Sequence, residues 1–144
     1  MMNVLVIGGG GREHAICVSI SSSNLLDELY CIPGNPGIED VATCINGNIM
    51  DNDFILNVCK ENSIDFVIVG PEAPLTNGVA DVLQHENIYV FGPDSKAAEL
   101  EGSKIFMKDL CKKYGNAGKI FVRENYQWND NVQMKIREYE KLLN

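Results

Sequence analysis

Four consecutive glycines, Gly8, Gly9, Gly10 and Gly11, lead into Arg12, Glu13 and His14 and form the segment best suited to chemistry. A glycine run between a strand and a helix bares backbone N–H groups at a helix N-terminus. Those groups and the helix dipole attract an anion, phosphate above all. Arg12 adds a guanidinium able to grip such an anion through two parallel hydrogen bonds. A plain strand–helix turn is the alternative, although four glycines carry an entropic cost that a turn alone does not require. A dinucleotide loop fits less well. Counting G-x-G-x-x-G from Gly8 or Gly9 puts Glu13 or His14 where close helix packing wants a third glycine. The second strand also ends Cys31-Ile32-Pro33-Gly34, without the acid a ribose would need.

Two further loops have suitable composition. Pro33, Gly34, Asn35, Pro36 and Gly37 make a rigid turn that either walls a pocket, with Asn35 offering a donor and an acceptor, or merely connects. Glu72 is set between Pro71 and Pro74, as a preorganised acid for an amine or hydroxyl or as a helix cap. Glu13 and His14 are polar contacts for a ligand or, equally, a dipole partner and a half-buried imidazole. Lys104 and Lys108 stand one turn apart, and most such pairs are solvated. Cys17, Cys31, Cys44, Cys59 and Cys111 are scattered without any C-x-x-C pair, so buried or half-buried free thiols are expected.

Charge sharpens the case for the glycine loop. The 144 residues carry a formal net charge of −8, which disfavours nucleic acid as a partner. Residues 1–103 hold three basic and fifteen acidic side chains, a net of −12, whereas residues 104–144 hold nine and five, a net of +4. Among the first 59 residues Arg12 is the one Arg or Lys. No apolar run is long enough to span a bilayer and no signal-like leader is visible, so a cytoplasmic protein is expected.

The elements that must position these residues alternate. Strands are expected at residues 3–7, 28–32 and 64–69, a weak one near 43–45 and another at 88–91. Helices are expected at 13–22, 52–61 behind an Asp51 cap, about 79–87, 95–101 and 103–114. This order implies a parallel sheet with helices on both faces, its Gly/Pro loops gathered at the strand ends where such sheets bind ligands. Lys119 to Val122 suggests a short strand. Val132, Ile136, Tyr139 and Leu143 suggest an amphipathic final helix. One domain to about residue 115, with residues 116–144 as an appendage, is the expected division.

Taken in order, Asn3 to Ala15 with its glycine run, Pro33 to Gly37, Val69 to Leu75, and Phe91-Gly92-Pro93 leading to Ala97–Lys104 closely resemble the start of the phosphoribosylamine–glycine ligase family, the glycinamide ribonucleotide synthetases of purine biosynthesis. The resemblance covers about residues 2–115. It implies a pre-ATP-grasp, Rossmann-like domain of an enzyme that joins glycine to 5-phosphoribosylamine with hydrolysis of ATP, through a glycyl phosphate. By this resemblance Gly8–Arg12, Glu13 and Pro33–Gly37 approach the phosphoribosylamine, Glu72 holds its ribose or amine, and Lys108 looks towards ATP phosphates. ATP and Mg²⁺ serve the complete family enzyme. After Tyr114-Gly115 that family continues into ATP-grasp and C-terminal domains, whereas here an unrelated stretch follows. The expectation is a truncated, frameshifted or split chain that is inactive alone and takes ATP and Mg²⁺ only with those domains. A partner chain carrying the ATP-grasp part, docked through the basic tail, is the alternative role.

Overall fold

The alternation of Val4, Leu5, Val6 and Ile7 puts apolar side chains on both faces of one strand, which therefore needs cover on each side. The computed structural model describes residues 1–125 and 128–142. In chain order its elements are β1 (Met2–Gly8), α1 (Gly11–Ser21), β2 (Leu26–Pro33), β3 (Thr43–Cys44), α2 (Asn52–Glu61), β4 (Phe66–Val69), α3 (Glu72–Thr76), α4 (Val79–His85), β5 (Tyr89–Phe91), α5 (Ser95–Gly102), α6 (Lys104–Asn125) and α7 (Trp128–Leu142). The strands form one parallel sheet in the order β3-β2-β1-β4-β5. The α/β class, the parallel sheet and the helices on both faces are as the sequence implies.

Leu5 and Ile7 pack with Ile55, Val58, Val67 and Leu83 under α2 and α4. Val4 and Val6 pack with Cys17, Leu29, Cys31 and Ile38 under α1. On this second face the cover stops short. Phe66 and Ile68 of β4 lie in register with Tyr89 and Phe91 of β5. Those two aromatics are 76% and 69% exposed. Asp51 caps α2 as expected, its Oδ1 accepting from Phe54 N at 3.0 Å.

Several boundaries differ from the sequence reading. Glu72–Thr76 is helical although it contains Pro74, because the first turn of a helix uses none of its own N–H groups and tolerates proline there. Lys119–Val122 is helix, not strand, and α6 runs through Gly115 and Gly118. An isolated strand has no ladder to join, whereas a helix satisfies its backbone internally. Val132, Ile136 and Tyr139 do lie on α7, and Leu143 falls outside the described residues. The chain forms two compact units, Met1–Ser103 and a second beginning at Lys104. All five cysteines are free, and Cys111 is exposed rather than buried. Among the described residues no helix is long and apolar enough to cross a membrane.

Candidate functional site

The order β3-β2-β1-β4-β5 reverses direction between β1 and β4, and a parallel sheet opens a crevice at the carboxyl ends of such a pair. The loop after β1 and the loop after β4 both end in that crevice. Gly8 closes β1 at φ +130°, a backbone region that favours glycine. Gly10 then precedes α1, whose first intrahelical bond runs from His14 N to Gly10 O at 3.0 Å. The N–H groups of Gly11, Arg12 and Glu13 come before that bond and have no intrahelical acceptor. They are the anion-seeking groups expected of the loop.

Glu13 organises the rest. It is 5% exposed, and its Oε2 accepts from Gly10 N at 2.7 Å while Oε1 accepts from Arg12 Nε at 3.1 Å. The space it fills is provided by glycines. A Cβ on Gly8 would lie 2.6 Å from Glu13 Cγ, and one on Gly70 would lie 2.6 Å from its Cδ. Glu13 stands where a dinucleotide loop has its third glycine, and a glycine on the neighbouring strand end makes room for it. Gly70 is thus a site residue that the sequence reading left unassigned; a bulky acid at the third-glycine position was the available signal.

Arg12 bridges the two loops. Its Nη2 donates to the carbonyl oxygen of Gly70, and its Nη1 lies 3.9 Å from Glu72 Oε1. Both side chains are more than half exposed. Glu72 is the first residue of α3, where a carboxylate complements the helix dipole. With Glu13 and Glu72 on either side, Arg12 is the one cation among two anions. The positive potential here therefore rests on the N–H groups of α1 that lack an intrahelical acceptor as well as on the guanidinium.

The third loop closes against the first. Asn35 Nδ2 donates to Gly9 O at 2.9 Å, and its Oδ1 accepts from Gly37 N at 2.9 Å and Ile38 N at 3.0 Å. Gly34 N donates to Gly8 O at 3.3 Å. A Cβ on Gly9 would lie 2.5 Å from Gly34 O, so the two loops touch backbone to backbone. His14 abuts Gly37, where a Cβ would lie 2.8 Å from its Cε1. Asn35 thus uses its donor and acceptor on the protein itself, and Pro33 and Pro36 stay exposed. Underneath, the Cys31 thiol donates to Gly8 O at 3.2 Å. A hydrogen bond with Cys31 lowers the Cys17 thiol below its ordinary value, against burial and the nearby Glu13 charge. The same bond, with burial, pushes Cys31 up.

The structure therefore brings together Gly8, Gly9, Gly10, Gly11, Arg12, Glu13, Gly34, Asn35, Gly37 and Glu72 across three loops. Lys108 belongs to α6 in the second unit. Among the described residues no three His, Cys, Asp or Glu side chains are grouped so as to hold a metal ion. Mg²⁺ does not fit this donor set.

Residues 2–101 match the family described as phosphoribosylglycinamide synthetase, N domain. The chain is 53% identical over 113 residues to the phosphoribosylamine–glycine ligase of Agrobacterium fabrum, covering 78% of this chain and 27% of that protein. To the ligase of the same name from Mesorhizobium japonicum it is 54% identical over 124 residues, covering 86% of this chain and 29% of that protein. Among solved structures, the phosphoribosylamine–glycine ligase of Thermotoga maritima superposes with a TM-score of 0.58 at 29% identity, over 78% of this chain and 25% of that one. The biotin carboxylase domain of a single-chain bacterial carboxylase shares the fold, with a TM-score of 0.63 at 18% identity over 80% of this chain and 29% of that one. The chain thus spans little more than a quarter of the length of the curated relatives it matches.

Proposed function

This chain belongs to the phosphoribosylglycinamide synthetase N-domain family, and from that premise we propose that it is the phosphoribosyl-recognising domain of a ligase joining glycine to 5-phosphoribosylamine in purine biosynthesis. One observation carries the reading: the glycine loop, Arg12 and Glu72 meet at the switch point between β1 and β4. In this reading the N–H groups of Gly11, Arg12 and Glu13 take the phosphate, with the helix dipole behind them. Arg12 leaves the Gly70 carbonyl to pair with the phosphate. Glu72, exposed and released from Arg12, then accepts from the ribose or from the amine. Pro33 to Gly37 forms the wall, braced by Asn35 on Gly9.

Turnover requires more than this chain supplies. ATP with its Mg²⁺ would drive the condensation, and among the described residues no three His, Cys, Asp or Glu side chains are grouped to hold that metal. The chain binds substrate and is inactive alone, in the cytoplasm, with ATP and glycine handled by the portions of its relatives that it does not span. Titration calorimetry with ribose 5-phosphate tests this. The parent should bind in the millimolar range or better, and Arg12→Ala should weaken binding about tenfold, as expected for one lost charged contact. Absence of heat from the parent at millimolar ligand refutes the reading.

The charge split supports a second role. A +4 segment beyond residue 103, against a −12 body, suits docking of a partner chain that carries the ATP-grasp part. Light scattering on full-length and tail-deleted protein, mixed with the remainder of a relative's chain, should show a complex only with the full-length form.

A further inference from the structure

Every carboxylate near the glycine loop is a candidate ligand contact, but Glu13 differs from Glu72 in kind. Glu72 is exposed; Glu13 is sealed, and both its oxygens are already engaged within the protein. Its two hydrogen bonds run in different directions. One secures the backbone N–H of Gly10 at the start of α1, and the other secures the Nε of Arg12. The second restrains the guanidinium at Nε, while its Nη2 donates to the Gly70 carbonyl and its Nη1 lies 3.9 Å from Glu72 Oε1. Gly8, Gly10 and Gly70 surround the carboxylate so closely that no Cβ fits beside it at any of the three. The loop after β1 and the loop after β4 are thus both built around this one side chain.

We propose that the Glu13 side chain is a positioning group that never touches the ligand: its buried carboxylate locks the turn at Gly10 and aims the Arg12 guanidinium at the anion. This rests on the phosphate reading of the loop. Charge alone predicts the reverse, since a carboxylate near a phosphate repels it. The two effects have opposite signs and can be told apart by substitution.

Glu13→Gln keeps one acceptor oxygen and turns the other into an amide NH2 that donates. The Gly10 N–H is fixed by the backbone and has the stronger claim on the remaining oxygen, because the Arg12 side chain can swing its Nε to water. Glu13→Gln should therefore hold the turn and free the arginine, and Glu13→Ala should lose both. Calorimetry with ribose 5-phosphate should show about fivefold weaker binding for Glu13→Gln, the effect of one partly exposed charged contact. In an Arg12→Ala background the same substitution should change affinity no further, which a purely structural role would not produce. Tighter binding by Glu13→Gln, or an equal loss in both backgrounds, overturns the proposal. A readout without ligand separates it from failure of the phosphate reading. In NMR hydrogen exchange on the parent, the Arg12 Nε–H and the Gly10 amide should both be protected. Glu13→Gln should expose the first alone and Glu13→Ala both. Rapid exchange of the Arg12 Nε–H in the parent refutes the positioning role whether or not ribose 5-phosphate binds.

Discussion

Gly70→Ala is the sharpest single test of how the two loops fit. The added Cβ would stand 2.6 Å from Glu13 Cδ and 2.7 Å from Cγ, where ordinary van der Waals contact needs at least 3.4 Å. Glu13 Oε1 is nearer still, but Cγ is mid-chain, so turning the carboxyl tip alone does not clear the space. Either Glu13 leaves its site or the β4 end shifts away. Expulsion forfeits the charged hydrogen bond to Gly10 N, about 1.5–3 kcal/mol. Shifting the strand end costs about 1–3 kcal/mol as overpacking does. Alanine recovers about 0.4–1 kcal/mol through the less free unfolded chain. The net loss should be about 2 kcal/mol, which in a unit of this size lowers Tm by about 10 °C. Gly11→Ala is the matched control. A Cβ there meets nothing within 4 Å, and it starts a helix, so stability should hold or rise slightly. Hydrogen exchange of the β1 and β4 amides is the suitable assay, because those strands lie wholly within the first unit and their slowest amides report its unfolding free energy. Should Gly70→Ala come within about 0.5 kcal/mol of the parent, the glycine cage around Glu13 is wrong.

Other consequences follow from named contacts. Asp51→Ala should cost about 1 kcal/mol and fray the start of α2, seen as faster exchange of the Phe54 amide, because Asp51 Oδ1 is its acceptor. Burial pushes the Cys59 thiol from its ordinary 9.0 up to about 12, so the folded chain keeps a proton that the unfolded chain gives up above pH 9. Stability is then complete below pH 9 and falls by up to about 1.4 kcal/mol per pH unit towards pH 12. Urea midpoints from pH 7 to pH 10.5 should decline in the parent and decline less in Cys59→Ala; equal slopes would remove Cys59 as the cause. At pH 8 a maleimide should label exposed Cys111 first, with Cys17, Cys31 and Cys59 reacting only on unfolding, as mass spectrometry of digests would show.

The parallel sheet and the loop placement were legible because such a sheet writes itself in long signals: β-branched runs, helix caps and Gly/Pro strand ends. Asp51 announced α2, and the run Asn3–Ile7 announced β1. The short helix α3 was hidden, since Pro71 and Pro74 read as loop residues while first-turn geometry accepts both. The glycines, Arg12 and Glu72 were singled out by their types, and the structure brings them together. The inward direction of Glu13 was not legible, because it depends on Gly70, a residue 57 positions further on that only tertiary packing brings beside it. The family relationship leaves unstated which acid faces the crevice and which merely braces.

The incomplete cover of the sheet also has a colloidal consequence. Tyr89 and Phe91, on a strand of three residues with Phe66 and Ile68 alongside, make an apolar plate that like charges on neighbouring molecules must hold apart. At neutral pH the net charge of −8 does so. As the pH approaches 4.7, where that charge vanishes, repulsion goes and the plate becomes adhesive. Purification belongs well above that pH, with turbidity rising steeply near it and Phe91→Lys shifting the onset.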